Sequence, residues 1–350
     1  MASMKDIDLM NNNIAATPFY SKALGCIVGG VIGDALGTPS EGKTYTTIKK
    51  EFGWIDTFEG TGTDDTIMKN LLGRALIKTG GHAGSDEWAM EWLDDWGAIF
   101  GHKVHKFFIS VIHTANKLRL DYVPRMAGLG NMPSSSSAMA ISPVGIVNAC
   151  RPRQAAAQAY EIASLIHIHD VGFCQDAAAA IAAAVAEAFN RQATADSIIN
   201  AATIHLHPVS GREMKDRIEQ GVALARQADD FEAFCQAVYG QSDYFFKRIF
   251  CDSRETVPLT LALLTLAKGD FEKSVTYGAN FGRDADTIAC MVGGIAGALA
   301  GAEGIKAQWL EKVLQEGEGE EALAVDLVQT AISKDKDYQV AESEFGALLG

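Results

Sequence analysis

Apolar residues recur at helical spacing along most of this chain. In residues 67–76 the apolar side chains lie three or four positions apart, which places them on one face of a helix. Residues 177–189 are nearly all alanine, the strongest helix former. Sustained period-two alternation bounded by turn residues, the pattern of an exposed strand, is not obvious in any segment. The sequence therefore predicts an all-α fold.

The length and composition are those of one large globular unit. The chain has 350 residues, of which 48% are hydrophobic and 21% are charged, so it can bury a single core. We expect one all-α domain at residues 18–335, with tails at residues 1–17 and 336–350. Residues 121–143 are rich in glycine, serine and proline, and a loop of that length inside a compact protein is usually functional. The alternative interpretation is a flexible linker between two domains.

The net charge, the cysteines and the apolar stretches indicate which partners and which cellular compartment to expect. The net charge is −14, and no run of Lys and Arg supplies a basic patch, so we expect no nucleic-acid partner. The six cysteines contain no CxxC pair, which is typical of reduced thiols. Residues 1–13 lack the apolar core of a signal peptide, and the longest apolar stretch that we identify, residues 288–302, is shorter than the roughly 20 residues that span a bilayer. These features predict a cytoplasmic protein without a membrane partner.

Two acidic motifs stand immediately before two apolar helices. Residues 63–66 read Thr-Asp-Asp-Thr, and residues 284–287 read Asp-Ala-Asp-Thr. One such motif alone is more often a helix N-cap, because Asp and Thr oxygens accept hydrogen bonds from the free N–H groups of the first turn. Capping needs only one side chain, however, whereas each motif offers three oxygen ligands. Adjacent carboxylates near a core repel each other unless a cation compensates their charge, so the pair of motifs indicates a metal site.

The chemistry of these side chains indicates which cation they would bind. Oxygen ligands without a neighbouring His or Cys select Mg²⁺ or Mn²⁺ over Zn²⁺. Four carboxylates and two threonine oxygens are a sensible supply of ligands for two such ions. We therefore predict two Mg²⁺ ions, with Mn²⁺ as the alternative. The predicted ligands are Thr63, Asp64, Asp65, Asp284, Asp286 and Thr287.

Five segments, in this order and across most of the chain, resemble the ADP-ribosylglycohydrolase family, which includes the dinitrogenase reductase-activating glycohydrolase. One such segment alone would be a weak signal, whereas five in order are specific. They are residues 29–37 (GGVIGDALG) followed by Glu41, residues 63–66 (TDDT), residues 142–145 (SPVG), residues 255–258 (ETVP), and residues 284–289 (DADTIA) with residues 293–298 (GGIAGA).

The resemblance implies a compact, multi-helix orthogonal bundle with a binuclear magnesium centre in a cleft. It also implies a glycosidase of the EC 3.2.2 type that removes ADP-ribose from a modified protein or a small ribosylated molecule. By motif position, Glu41 matches an acidic residue that the family uses in catalysis, and Asp34 is the second catalytic candidate. The alternative for Asp34 is that it only holds a loop by accepting hydrogen bonds from backbone N–H groups.

Seven further residues are predicted to contact the substrate. His167 matches a family histidine that lines the substrate cleft; the alternative is an ordinary core or surface histidine. The glycine- and serine-rich loop could offer donors to a diphosphate, although it could also be a solvated loop. The full set of predicted substrate contacts is Gly130, Asn131, Ser134, Ser137, His167, Gly282 and Arg283.

Two departures from the family pattern leave the substrate open. Ala140 stands where the family usually has an arginine, and Arg283 stands where it often has a second glycine. Two alternatives therefore remain beside removal of ADP-ribose. One is a nucleoside or ribosyl hydrolase that acts on a smaller substrate, and the other is a non-catalytic ADP-ribose-binding module.

Overall fold

The computed structural model describes residues 14–349 of the chain, so residues 1–13 of the predicted N-terminal tail lie outside the described residues. Within that range the regular structure is helical and contains no β-strand, and one isolated β-bridge joins Thr44 to Gly282. The predicted all-α fold is confirmed. Residues 336–348 of the predicted C-terminal tail continue the last helix, and their side chains are exposed.

Twenty α-helices follow one another along the described chain, with four short 3₁₀ turns between them. They are α1 (Pro18–Gly37), α2 (Tyr45–Glu51), α3 (Asp64–Lys78), α4 (Ser85–Asp94), α5 (Trp96–Phe100), α6 (Ile109–Leu118), α7 (Pro124–Ala127), α8 (Ser136–Ala140), α9 (Ser142–Val147), α10 (Pro152–Ala163), α11 (Phe173–Ala188), α12 (Ala195–Ile204), α13 (Arg212–Gln227), α14 (Phe231–Tyr239), α15 (Ser242–Phe245), α16 (Ser253–Leu266), α17 (Phe271–Phe281), α18 (Ala285–Ala300), α19 (Ala307–Glu316) and α20 (Glu320–Leu348). The 3₁₀ turns are Thr38–Ser40, Val104–Lys106, His169–Val171 and Ala302–Gly304.

The two most apolar helices, α1 and α18, form the centre of the fold. They run antiparallel with their backbones in close contact, because glycines on both helices face each other at intervals of four residues. A Cβ atom on Gly33 would lie only 1.9 Å from the carbonyl oxygen of Ala289. This packing brings the end of α1 beside the start of α18.

Helix α1 and the turn after it, Pro18–Ser40, are long and apolar enough to cross a membrane by length and composition, yet 83% of the most apolar window is buried inside the protein. This segment is longer than the apolar stretch at residues 288–302 that the sequence analysis selected. Both segments pack in the core. Burial of this kind is typical of the central helix of a globular protein.

The segment at residues 121–143, predicted to be one long loop, is more structured than expected. It contains the short helices α7 and α8 and the first residues of α9. Its serine run is buried, with Ser134 and Ser137 exposing no more than 1% of their surface, so the solvated-loop alternative is wrong. The run is buried because its hydroxyl groups bond to other buried polar groups, as described below.

Candidate active site

Helix α3 begins against a carboxylate that belongs to another helix. Both oxygens of Asp34, near the end of α1, accept hydrogen bonds. Their donors are the N–H and hydroxyl groups of Thr63, both at 2.8 Å, and those of Thr66, at 3.1 and 2.7 Å. Asp34 therefore supplies the N-terminal cap that Thr63 does not provide itself. These contacts match the alternative in which Asp34 holds a loop by accepting hydrogen bonds. Asp34 is therefore a residue that positions the first acidic motif.

Gly62 is required by this arrangement for two reasons. Its φ angle of +88° lies in the left-handed region, which a residue with a side chain rarely adopts. A Cβ atom at this position would also lie 2.3 Å from a carboxylate oxygen of Asp34. The glycine before the Thr-Asp-Asp-Thr motif thus allows Asp34 to reach the first turn of α3.

The carboxylates of both acidic motifs meet where α1, α3 and α18 converge. Ligand oxygens of Asp34, Asp65 and Asp286 lie within 4.8 Å of one another, and those of Glu41, Asp284 and Asp286 form a second such group. Four of these five residues expose at most 4% of their surface, and Glu41 is partly exposed. The two groups share Asp286, so they form one continuous acidic cluster.

The remaining predicted ligands lie beside this cluster. The Asp64 side chain borders the same cavity and is 93% buried. The Thr287 hydroxyl donates to Oδ2 of Asp65 at 3.4 Å. Thr63 is buried, but its hydroxyl donates to Asp34 rather than facing the cavity. The structure therefore brings the six predicted ligands to one place, with Thr63 turned away from the cavity.

Burial makes the charged form of these carboxylates costly. It raises the pKa of Asp64 to about 7, and the neighbouring charge of Asp34 adds to that rise. Burial also raises the pKa values of Asp65, Asp284 and Asp286 well above their usual range, and nearby carboxylates raise them further. A cation at the cluster would therefore compete with protons for these carboxylates.

The cluster has the properties of a site for a divalent metal ion. Oδ1 of Asp65 is buried and has no hydrogen-bond partner, which is costly for a carboxylate oxygen unless a cation takes that place. The donor atoms are carboxylate and hydroxyl oxygens, which suit hard divalent ions. The residues present fit a metal ion on both counts.

A cavity of about 400 Å³ opens onto the cluster. Its acidic lining is formed by Glu41, Asp64, Asp65, Asp284, Asp286 and Thr287, and much of the remaining lining is apolar, with Phe107, Phe108, Ile109, Met139, Ile249 and Phe250. The volume lies in the range of ordinary small-molecule sites. The cavity can therefore hold a ligand that is part polar and part apolar.

Two basic side chains stand at this cavity among the acidic groups. Nζ of Lys106 lies 3.2 Å from a carboxylate oxygen of Glu41. Burial alone would lower the pKa of Lys106, but the charge of Glu41 outweighs it and the net change is a rise. Arg248 is the second basic residue on the cavity wall. Lys106 and Arg248 were not identified from the sequence, because lone basic residues in unremarkable segments carry no local signal.

The seven predicted substrate contacts do not line this cavity. His167 is fully buried, and its ring nitrogens bond to the hydroxyls of Ser134 at 3.0 Å and Ser137 at 2.7 Å. Burial lowers the pKa of His167 to about 3, so the imidazole is neutral. Asn131 is also buried and bonds to the carbonyl oxygens of Ser110 and Ile166. His167 and Asn131 therefore hold the serine segment in place on the side that does not face the cavity.

The serine segment reaches the cavity through two residues that the prediction passed over, Ser135 and Ser136. The Ser135 hydroxyl donates to Oδ2 of Asp284 at 3.1 Å, and its N–H donates to the carbonyl of Cys251 at 2.7 Å. The segment therefore borders the cavity through Ser135 and Ser136, whereas the hydroxyls of Ser134 and Ser137 bond to His167. Gly130 lies in the exposed part of the loop, away from the cavity.

Gly282 and Arg283 fasten the loop that carries Glu41. The N–H of Gly42 donates to the carbonyl of Arg283 at 2.7 Å, and the N–H of Arg283 donates to the carbonyl of Lys43 at 2.8 Å. Arg283 adopts a left-handed φ of +62°, a conformation that favours glycine, the residue expected here from the family pattern. Two hydrogen bonds from its guanidinium to the fully buried Glu255, at 2.6 and 2.9 Å, hold it there.

Known proteins resemble this chain over most of its length. The sequence profile of the ADP-ribosylglycohydrolase family matches residues 15–337. The ADP-ribosyl-[dinitrogen reductase] glycohydrolase of Rhodospirillum rubrum is 27% identical over 319 residues, covering 88% of this chain and 95% of that protein. The uncharacterized protein YegU of Escherichia coli K12 is 27% identical over 308 residues, covering 81% of this chain and 89% of that protein.

A solved structure shares the fold. It is described as an ADP-ribosylglycohydrolase-related protein complex and superposes with a TM-score of 0.64 at 21% identity, covering 89% of this chain and 99% of the other. The family profile spans nearly the whole chain, and the predicted resemblance is confirmed. The chain belongs to the ADP-ribosylglycohydrolase family, and it is a hydrolase of that family.

Proposed function

We propose that this protein removes ADP-ribose from a modified acceptor by hydrolysing the ribosyl glycosidic bond, in a reaction that depends on two divalent metal ions, Mg²⁺ in the first instance. The observation that carries the proposal is the buried acidic cluster at the base of the cavity. Buried carboxylates from three helices converge there, and Oδ1 of Asp65 has no partner within the described protein.

The metal ions would be held by the carboxylates of Asp64, Asp65, Asp284 and Asp286 with the hydroxyl of Thr287. Bound there, they would supply positive charge that neutralises the cluster and orients the ribose hydroxyl groups. Asp34 holds the start of α3 so that Asp64 and Asp65 face the other motif. Ser135 orients Asp284 through its hydroxyl.

Glu41 is the residue that we assign to proton transfer. The bond from ribose C1 breaks through a transition state with oxocarbenium character, and a strongly basic leaving group such as guanidine needs a proton as it departs. Glu41 is the least buried carboxylate of the cluster, with one third of its side chain exposed. Its ion pair with Lys106 holds the carboxylate at the cavity wall, where it can exchange a proton with bound substrate or water.

The cavity supports an ADP-ribosyl group as the substrate. Lys106 and Arg248 place positive charge on its wall, which suits a diphosphate, and Phe107 and Phe108 offer an apolar surface to a base. Ala140, at the usual family arginine position, is fully buried within α8 and does not face the cavity. Arg248 can therefore supply the charge that the missing arginine would give.

The substrate class can be tested with three ligands in parallel. With Mg²⁺ present, we expect release of ADP-ribose from an ADP-ribosylated arginine peptide, measured by chromatography of the products. A purine nucleoside should not be cleaved at a comparable rate. Cleavage of the nucleoside alone would contradict the ADP-ribosyl assignment in favour of a smaller ribosyl substrate. Tight binding of ADP-ribose without turnover of either substrate would point to a binding module.

The raised pKa of Asp64 predicts how the stability of the metal-free protein depends on pH. The carboxyl of Asp64 titrates near 3.8 when unfolded and at about 7 in the folded, metal-free protein. The folded state then holds more protons than the unfolded state, so the stability of the metal-free protein should fall as pH rises through that window.

Metal ions compete with these protons, so their stabilising effect should increase with pH over the same window. A hundredfold excess of Mg²⁺ over its dissociation constant adds about 2.7 kcal/mol to stability. Melting temperatures measured with Mg²⁺ and with a chelator, from about pH 5 to about pH 8, would show this as a widening difference. A difference that is absent, or that does not change with pH, would contradict the assignment.

A further inference from the structure

A lysine lies buried directly beneath the acidic cluster. Lys69, on α3, exposes only 1% of its surface. Its Nζ donates one hydrogen bond, at 3.0 Å, to the carbonyl oxygen of Ile27 on α1. Among residues 14–349 no carboxylate lies within ion-pair distance of this ammonium group. A buried charge with so few partners is costly, so its surroundings must compensate it in another way.

The three helices that carry the cluster also surround Lys69. Asp65 lies four residues before Lys69 on α3, and four residues make about one helical turn of 5.4 Å. On α1, a Cβ atom at Gly30 would lie 3.4 Å from Nζ of Lys69, and Gly30 is four residues before Asp34. On α18, Cys290 lies beside the same glycine, four residues after Asp286.

The ammonium group of Lys69 therefore lies about one helical turn below the carboxylates of Asp34, Asp65 and Asp286. A Cβ atom at Gly30 would just reach van der Waals contact with the ammonium, so this turn of α1 lies directly against it. A positive charge about one helical turn away in a buried environment is close enough to act on carboxylates and on any cation that they bind.

We infer that Lys69 is a built-in positive charge that sets the affinity of the acidic cluster for divalent ions. It offsets part of the carboxylate repulsion in the metal-free protein, and it repels a bound cation from below. The cluster then binds metal ions more weakly than its carboxylates alone would, so that loading follows the supply of free ion. This inference rests on the proposed divalent metal site.

The test compares Lys69→Met with a matched substitution elsewhere. Lys334 is a second buried lysine, exposed by 2%, that donates to Gly81, Asn148 and Gln158. None of these partners lines the cavity. Lys334→Met thus removes a buried ammonium without removing a charge from beneath the cluster. Lys69→Gln serves as a milder variant, because its amide keeps a donor for the Ile27 carbonyl.

The measurements are Mn²⁺ and Mg²⁺ binding by calorimetry at fixed pH, and the melting temperature with and without the ion. We expect Lys69→Met and Lys69→Gln to bind divalent ions on the order of tenfold more tightly than wild type, with a larger metal-induced rise in melting temperature. Lys334→Met should lose stability while keeping the wild-type affinity. Affinity that is unchanged or weakened in folded Lys69 variants, with wild-type binding intact, would overturn this inference alone.

Two other outcomes are also decisive. Failure of both Lys69 variants to fold, even with saturating metal, would assign Lys69 to the core and overturn the inference. Wild-type protein that binds no divalent ion would overturn both this inference and the metal-dependent function on which it rests.

Discussion

Asp65→Asn and Asp286→Asn are expected to lower the turnover number by about 10³-fold or more, because metal charge contributes several kcal/mol at such a site. Both residues belong to the buried cluster, and Asp286 is shared by its two groups of ligand oxygens. The bound metal per protein molecule should fall in parallel with the rate. Turnover and metal content, measured on the same purified samples, check the prediction.

Loss of activity in these variants should not come from unfolding. Removing a buried carboxyl with a raised pKa relieves repulsion, so the metal-free melting temperature should stay level or rise at neutral pH. Asp230→Asn is the matched control, since Asp230 is an exposed N-cap that accepts a hydrogen bond from the Ala233 N–H at 2.8 Å. Full activity in Asp65→Asn or Asp286→Asn, or an equal loss in Asp230→Asn, would contradict the metal-ligand assignment.

Glu41→Gln is expected to lower turnover by roughly 10²–10⁴-fold, the usual contribution of general acid–base catalysis. The amide keeps the shape of the carboxylate and one acceptor oxygen, so metal and ligand binding should be nearly unchanged. If Glu41 mainly positions the metal, affinity for the ion should fall together with the rate. If Glu41 only holds its loop, stability should fall and the activity per folded molecule should not. Rate, metal titration and melting temperature separate these roles.

Two further variants isolate the proton-transfer role from the ion pair. Lys106→Met removes the 3.2 Å pair and leaves the carboxylate of Glu41 in place, so it should cost less activity than Glu41→Gln. Glu51→Gln breaks a surface pair of the same length, with Lys43, and should have little effect on turnover. A fully active Glu41→Gln enzyme would mean that another carboxylate on the cavity wall handles the proton.

The fold class and the acidic motifs could be predicted because their signals are local. Helical spacing of apolar residues survives in a single segment, and the family segments stand in order along the chain. The motifs at residues 63–66 and 284–287 can be recognised in the sequence because each places two carboxylates close together at the start of a helix. Their meeting at one place follows from the close packing of α1 against α18, which the glycine spacing in residues 25–37 and 289–297 permits.

The walls of the cavity could not be predicted, because they depend on which way individual side chains point. The composition of the serine segment identified it as functional. The composition does not show that Ser135 bonds to Asp284 in the cluster while Ser134 bonds to His167. His167 matches a family histidine that was expected to line the substrate cleft, but it bonds to Ser134 and Ser137 and does not line the cavity. Lys106 and Lys69 gain their importance from neighbours that are distant in sequence, namely Glu41 for Lys106, and Ile27 and Gly30 on α1 for Lys69.

Metal dependence of turnover tests the central claim most directly. The measurement is the rate of ADP-ribose release from an ADP-ribosylated arginine substrate by enzyme stripped with a chelator, before and after Mg²⁺ is restored. The acidic cluster predicts that stripped enzyme is inactive and that Mg²⁺ restores turnover at the concentration at which calorimetry shows binding. Equal rates in stripped and Mg²⁺-supplemented enzyme would contradict the claim that the carboxylates of Asp64, Asp65, Asp284 and Asp286 form a catalytic metal centre.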